Sequence, residues 1–333
     1  MAITAERPGA RSPAPANAEA KHASDGGLHH LQFRALGTDC VILYSCDNDA
    51  LAAAFGNAAW DWVTRFEARC TRFRDDSVIG RINATAGSGE WHSVDEEMER
   101  YFDVCDALHQ WTNGLLDVTA GPLERLWDYR QSPPRVPAPV EIAAARAKVG
   151  WPKVERRAGA IRLPERGMAL DFGGWGKEYA VDAVLALARE HGLLAALVDF
   201  GHDVAAYGQP PGRAAWHVGL EDPARPGALS GSVGLRDGAI ASSGDYLRGF
   251  TLEGRRYGHI LDLRTGAPVN NGCRQVTVIA PSCLQAGVLS TTAFILGPAE
   301  GLRLVQETMG AEARFVTSEA VYQTRGFFHH VVS

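Results

Sequence analysis

Met168-Ala-Leu-Asp-Phe-Gly-Gly-Trp-Gly-Lys177-Glu-Tyr-Ala-Val-Asp-Ala-Val-Leu-Ala-Leu187 is the stretch on which the rest of the chain is arranged. Met168 to Phe172 reads as a short buried strand. Gly173, Gly174 and Gly176 then allow a tight turn and a close approach of the backbone to a neighbour. From Lys177 onward the spacing is helical, with Tyr179, Ala180, Val184, Leu187 and Ala188 on one face. A strand, a glycine turn and a helix start together form an anion site, because unpaired N–H groups and the helix dipole point out of the helix end. Lys177 adds a full positive charge there. A tight connection whose glycines serve geometry alone is the competing reading. The spacing, and the lack of a Lys-Ser/Thr pair, exclude a nucleotide-binding P-loop.

The chain has 333 residues, 46% hydrophobic and 22% charged, which is a globular balance with length for a large core. A net charge of −6 argues against nucleic acid as a partner. Six cysteines without a Cys-x-x-Cys pair read as buried free thiols rather than a disulfide scaffold or a structural zinc site. Residues 1–27 are rich in Ala, Pro and Ser and lack an apolar h-region, so they read as a disordered tail on a cytoplasmic protein, with the ordered domain at 28–333. No apolar run is long enough to span a bilayer, which leaves no membrane role.

Along the chain, Leu31–Leu36 and Cys40–Tyr44 read as a hairpin, and Ala50–Arg72 and Met98–Trp111 as amphipathic helices. Between them Thr71 to Asn83 packs three arginines among two acids. That segment fits a solvated helix end, or a clamp that orders a loop over a ligand. Thr119, before Gly121-Pro122, fits a helix cap and a ligand-touching loop equally well. Strands then dominate from Ala195 to Ser242, and His259 lies on another strand near Asp245, Asp262 and Arg264. Ala286–Leu296 is a helix with hydroxyls at Ser290, Thr291 and Thr292, whose default is bonding back to the preceding turn. Helices gather early and strands late, which gives an α+β class with mixed or antiparallel sheets and packed helices rather than a doubly wound sheet.

Six segments in order carry a resemblance: Ala35–Thr38, Thr71–Ser77, Asp117–Leu123, Asp171–Lys177, Ser243–Tyr246 and His259–Gly266. By these the chain, from about Phe33 to Gly297, resembles the ApbE family, the FAD:protein FMN transferases. The resemblance implies FAD and Mg2+ as ligands, cleavage of the pyrophosphate, transfer of FMN to a Thr or Ser hydroxyl of a target protein, and release of AMP. It places the flavin against Leu36 and Thr119, and the pyrophosphate on Asp171, Gly173, Gly174 and Lys177, with Asp182 at the adenosine end and His259 beside the phosphates. Asp245 and His259 are the candidates for activating the acceptor hydroxyl, since a carboxylate and an imidazole suit that work.

The resemblance also implies a metal held by the backbone carbonyl of Gly176, by Thr291, and by an aspartate where this chain has Gly287. Residues 287 and 291 face the same way on a helix, so the missing carboxylate leaves Mg2+ weakly held, and nothing nearby in sequence replaces it. Restoring it by Gly287→Asp is expected to raise Mg2+-dependent activity. His202, before Asp203, is a second departure and is bulky enough to fill part of a nucleotide pocket. Two further readings follow: an FAD-binding carrier or sensor without transfer activity, and an FAD pyrophosphatase that releases FMN.

Overall fold

Nine strands form one antiparallel sheet whose spatial order is also their order in the chain. They are β1 (Lys21–Asp25), β2 (Leu28–Ala35), β3 (Thr38–Ser45), β4 (Ala195–Phe200), β5 (Asp203–Tyr207), β6 (Asp237–Gly244), β7 (Cys273–Ala280), β8 (Glu312–Thr317) and β9 (Val321–Gln323). The computed structural model describes residues 20–25 and 27–332. The expected tail, 1–27, therefore falls mostly outside the described residues, but Lys21–Asp25 at its end is a strand paired with β2.

Six helices are inserted between β3 and β4: α1 (Asp49–Cys70), α2 (Val78–Ala84), α3 (Glu96–Trp111), α4 (Gly121–Leu126), α5 (Pro139–Arg146) and α6 (Gly176–Glu190). Two more, α7 (Cys283–Leu296) and α8 (Pro298–Glu307), connect β7 to β8. A small sheet of Trp216–Glu221, Leu229–Leu235 and Val331–Val332 lies over the opposite face of the main sheet. Both faces of β4 and β5 are thus covered, which is why these strands are continuous apolar runs. Ala196, Val198 and Phe200 pack into the core with α1, α3 and α6, whereas Ala195 and Leu197 pack on the other side with Trp216 and Val233. The alternation is the two-residue period of a strand. The α+β class with antiparallel sheets holds.

Two tight hairpin turns meet at one end of the sheet. Leu36-Gly37 joins β2 to β3 with φ of 54° and 72°, and Gly201-His202 joins β4 to β5 with φ of 64° and 73°. Positive φ at both central residues is the turn that matches strand twist. A Cβ at Gly201 would lie 2.3 Å from Thr38 Oγ1, so the two turns touch and glycine is required there. His202 carries the less favourable conformation, held by its N–H donating to Asp199 Oδ1 at 2.8 Å.

All six cysteines are free, and five are buried. Burial pushes the Cys40 thiol up to about 12, the behaviour of an inert core thiol. Among the described residues no helix is long and apolar enough to cross a membrane.

Candidate active site

Met168 to Phe172 is not a strand. It is a buried extended segment stitched in place by side chains. Asn83 on α2 brackets Leu170, donating from Nδ2 to its carbonyl at 2.9 Å and accepting its N–H at 2.7 Å. The Asp171 N–H donates to the Val118 carbonyl at 2.7 Å. Arg72 forms an ion pair with Asp171, whose other oxygen accepts the Gly173 N–H at 2.8 Å. The arginine-rich segment at Thr71 to Asn83 is thus a clamp, and what it orders is the glycine turn. Ser77 caps α2 by accepting the Gly80 N–H at 2.7 Å, and a Cβ at Gly80 would collide with the Arg74 carbonyl at 1.9 Å. From the clamped turn α6 begins at Gly176 with no side-chain cap; the Gly176 N–H is spent on the Phe172 carbonyl, and those of Lys177 and Glu178 are left for a ligand.

The turn and α6 border a cavity of about 920 Å³, at the large end of the range for ligand sites. Asp171, Gly173, Gly174, Trp175, Lys177, Glu178, Asp203, Ser243, Arg248, His259, Ser290 and Thr291 all line it. Lys177 and Arg248 are its lining Lys and Arg residues, against Asp117, Glu124, Asp171, Glu178, Asp199, Asp203 and Glu221. Lys177 is ion-paired with Asp203, and its Nζ lies 4.0 Å from Glu178 Oε1. Burial pushes the ammonium down, but Glu178 and Asp203 together push it up by more, so it stays charged. Burial pushes Glu178 up to about 7 against the pull of Lys177. Burial, with Asp171 adding to it, holds Glu124 well above the usual carboxylate range.

Three lining side chains keep a buried polar atom without a hydrogen-bond partner: Trp175 Nε1, Glu178 Oε2 and His259 Nδ1. Such atoms are costly unless something fills the space beside them. Burial first, then Arg248, Arg256 and Lys177, push the His259 imidazole down to about 4. It is therefore neutral at pH 7 and sits among cations, an environment that an anion would complement. The sign for stability follows. Between pH 6.5 and 4 the unfolded chain takes up a proton at this site and the folded chain does not, so stability falls across that window, by up to about 3 kcal/mol. We expect His259→Gln to lose less stability than the parent between pH 6.5 and 4 in urea titrations. Equal acid sensitivity of the two would contradict the buried neutral imidazole.

Several expected site residues lie elsewhere. Leu36 does not line the cavity: it forms the β2–β3 turn, and its N–H donates to Glu67 Oε1 at 2.9 Å. Thr119 is fully buried, donating to Asp117 Oδ1 at 2.5 Å and accepting the Gly150 N–H at 2.7 Å, so it builds a loop rather than touching the cavity. Asp182 caps α7 instead of facing a nucleotide: its oxygens accept the Cys283 and Leu284 N–H groups at 2.8 and 2.9 Å. Asp245 is outside the lining, with Oδ1 at 3.9 Å from Arg274 Nε and its Cβ packed against Gly258. Asp262 is bound to Arg264. Gly176 is buried between the lining residues Trp175 and Lys177, and its N–H donates to the Phe172 carbonyl at 2.7 Å. Asp171, Gly173, Gly174, Lys177, His259 and Thr291 do converge, and His202 lines the same cavity.

Glu178 is the residue that sequence reasoning missed. A Cβ built on Gly287 would lie 2.6 Å from Glu178 Cγ and 2.9 Å from Oε1. The carboxylate of α6 therefore fills the space an aspartate on α7 would need. The available signal was a glycine in the middle of an apolar helix, which costs about 1 kcal/mol relative to alanine and usually has a packing reason. Among the described residues no group of three or more His, Cys, Asp or Glu is disposed to hold a metal. One carboxylate and a hydroxyl nevertheless fit Mg2+, which takes one or two carboxylates and completes its shell with water and phosphate.

The family model described as the ApbE family matches residues 36–315, which span every element described above except β1, β2, β9, Val331–Val332 and the last two residues of β8. The chain belongs to the ApbE family. Among its relatives, the FAD:protein FMN transferase of Treponema pallidum is 31% identical over 298 residues, covering 84% of this chain and 82% of that one. The FAD:protein FMN transferase of Salmonella typhimurium is 30% identical, covering 74% and 70%. The crystal structure of the ApbE protein from Thermotoga maritima superposes with a TM-score of 0.82 at 30% identity, covering 92% of this chain and all of that one. The flavin transferase ApbE from Vibrio cholerae gives 0.77 at 25% identity, covering 94% of this chain and 100% of that one. These ApbE folds confirm the sheet-and-insertion architecture, so the clamped glycine turn lies within a family scaffold.

Proposed function

We propose that this chain is an FAD:protein FMN transferase, moving FMN from FAD to a Thr or Ser hydroxyl of a target protein and releasing AMP. Membership of the ApbE family and the names of its relatives support the reaction. The observation that carries it in this chain is the clamped glycine turn, which presents the uncapped start of α6 and Lys177 to a cavity large enough for a dinucleotide.

In this reading the pyrophosphate lies against Gly173, Gly174 and Lys177, within reach of His259. Arg72 and Asp171 hold the turn rigid, with the Gly173 N–H spent on Asp171, so the free N–H groups at the opening of α6 need no reorganisation during reaction. The acceptor oxygen bonds to the FMN phosphorus, the bond from that phosphorus to the bridging oxygen breaks, and AMP leaves with that oxygen. The hydroxyl proton goes to His259. Its imidazole is neutral and able to accept, and the bound phosphates offset the cations that depress its basicity. When bound, Mg2+ would be held by Glu178 and Thr291 and would neutralise pyrophosphate charge. The acidic lining makes such a counter-charge necessary, because Lys177 is already shared between Asp203 and Glu178.

The test is incubation with FAD, Mg2+ and a threonine-bearing acceptor peptide, read by peptide mass and by AMP release. We expect an FMN adduct and one AMP per adduct. FMN released into solution with no adduct would instead indicate a pyrophosphatase. No product with any divalent ion would indicate a flavin-binding protein without transfer.

A further inference from the structure

We propose that Glu178 of α6 is the protein carboxylate that binds a divalent cation in this cavity, and that Gly287 of α7 is glycine to make room for it. The proposal deepens the transferase reading and rests on it for the phosphate oxygens that complete the cation's shell.

Three observations carry it. First, Glu178 is 8% exposed, lines the cavity and keeps Oε2 buried without a hydrogen-bond partner. A carboxylate taken out of water with a free lone pair is held at a cost unless a cation or donor arrives. Second, five of the six other acidic residues of the lining are already engaged, Asp199 by the His202 N–H at 2.8 Å, and the sixth, Glu124, is held well above the usual carboxylate range by burial. Asp203 is paired with Lys177, Asp171 with Arg72, Glu221 accepts the Tyr246 hydroxyl at 2.6 Å, and Asp117 accepts the Trp151 N–H at 2.7 Å. Lys177 approaches Glu178 only at Oε1, at 4.0 Å, a distance that satisfies neither oxygen with a hydrogen bond. Third, the three atoms nearest to a Cβ at Gly287 all belong to Glu178, at 2.6, 2.9 and 3.0 Å. Thr291, one turn further along α7, lines the same cavity, and its hydroxyl is 2.8 Å from Ser243 Oγ. The carboxylate and the hydroxyl thus come from two packed helices, and both border the cavity.

The test uses Mn2+ as a spectroscopic probe, titrated into the full chain with FAD present and followed by the loss of the free-ion EPR signal. Glu178→Gln keeps the shape and removes the charge. We expect its Mn2+ affinity to fall at least tenfold. The exchanged pair, E178G with G287D, moves the carboxylate to α7 with the collision removed, and should recover affinity to within about threefold of the parent if the position of the charge is what matters. Unchanged Mn2+ affinity in Glu178→Gln, or no Mn2+ binding by the parent protein, overturns the proposal. The peptide-mass assay separates this from the transferase reading. An FMN adduct with unchanged Mn2+ affinity in Glu178→Gln removes the role of Glu178 and leaves transfer standing. A tenfold loss of affinity with no adduct from the parent leaves the cation site standing and removes transfer.

Discussion

Gly287→Asp lowers both stability and Mg2+-dependent activity, the reverse of the gain that the sequence alone leads one to expect. The new Cβ would stand 2.6 Å from Glu178 Cγ in a buried interface between α6 and α7, where Gly287 is itself fully enclosed. Overpacking of this kind costs about 1–3 kcal/mol, and a second carboxylate beside the first adds to it, so we expect a loss of about 3 kcal/mol or more. For a chain of this length that is a melting shift of roughly 5 °C or more. Thermal unfolding of G287D beside G287A checks it. The alanine variant carries the steric part alone and should fall between the parent and the aspartate variant. A G287D protein as stable as the parent, with stronger metal dependence, would show that Glu178 swings aside freely and that the space over residue 287 is not reserved for it.

Lys177→Met is the second large effect. The ammonium is the charge at the opening of α6 and the partner of Asp203, which is 6% exposed. Removing it does two things that can be separated. Transfer should fall by about 10²–10³ in kcat/KM, as for loss of one preorganised charge at a developing oxyanion. Stability should fall by about 3–5 kcal/mol, because a buried carboxylate is left unpaired. The double variant Lys177→Met with Asp203→Asn removes the stranded charge. It should recover most of the stability in urea titrations and none of the transfer rate. If the double variant regained transfer as well, Lys177 would act only by holding Asp203, and the anion site at α6 would lose its main support.

The two variants mark where sequence reading reached and where it stopped. The period of Lys177 to Leu187 and the glycines before it set a helix opening on a tight turn, because both signals are local. The α+β class was equally legible, from early helical spacing and late short strands. Contacts of single residues were less legible, because several expected site residues hold other segments of the chain and do not line the cavity. Leu36 lies in a strained turn and Thr119 in a packed loop, and Asp182, beyond the motif segments, caps α7. In each case the residue's partner is fixed by packing between distant segments, which neither spacing nor residue type encodes.

By itself the sequence determined that the chain opens a helix at Lys177 from a glycine turn, that hydroxyls lie one turn beyond Gly287, and that no carboxylate stands at that position. The tertiary structure alone decided that the Glu178 side chain occupies the space over residue 287. The two positions are on different helices, and only the packing of α6 against α7 brings one side chain into the volume the other lacks. Interiors are filled to near crystal density, so a missing side chain on one element is information about its neighbour, and that neighbour is known only once the elements are packed.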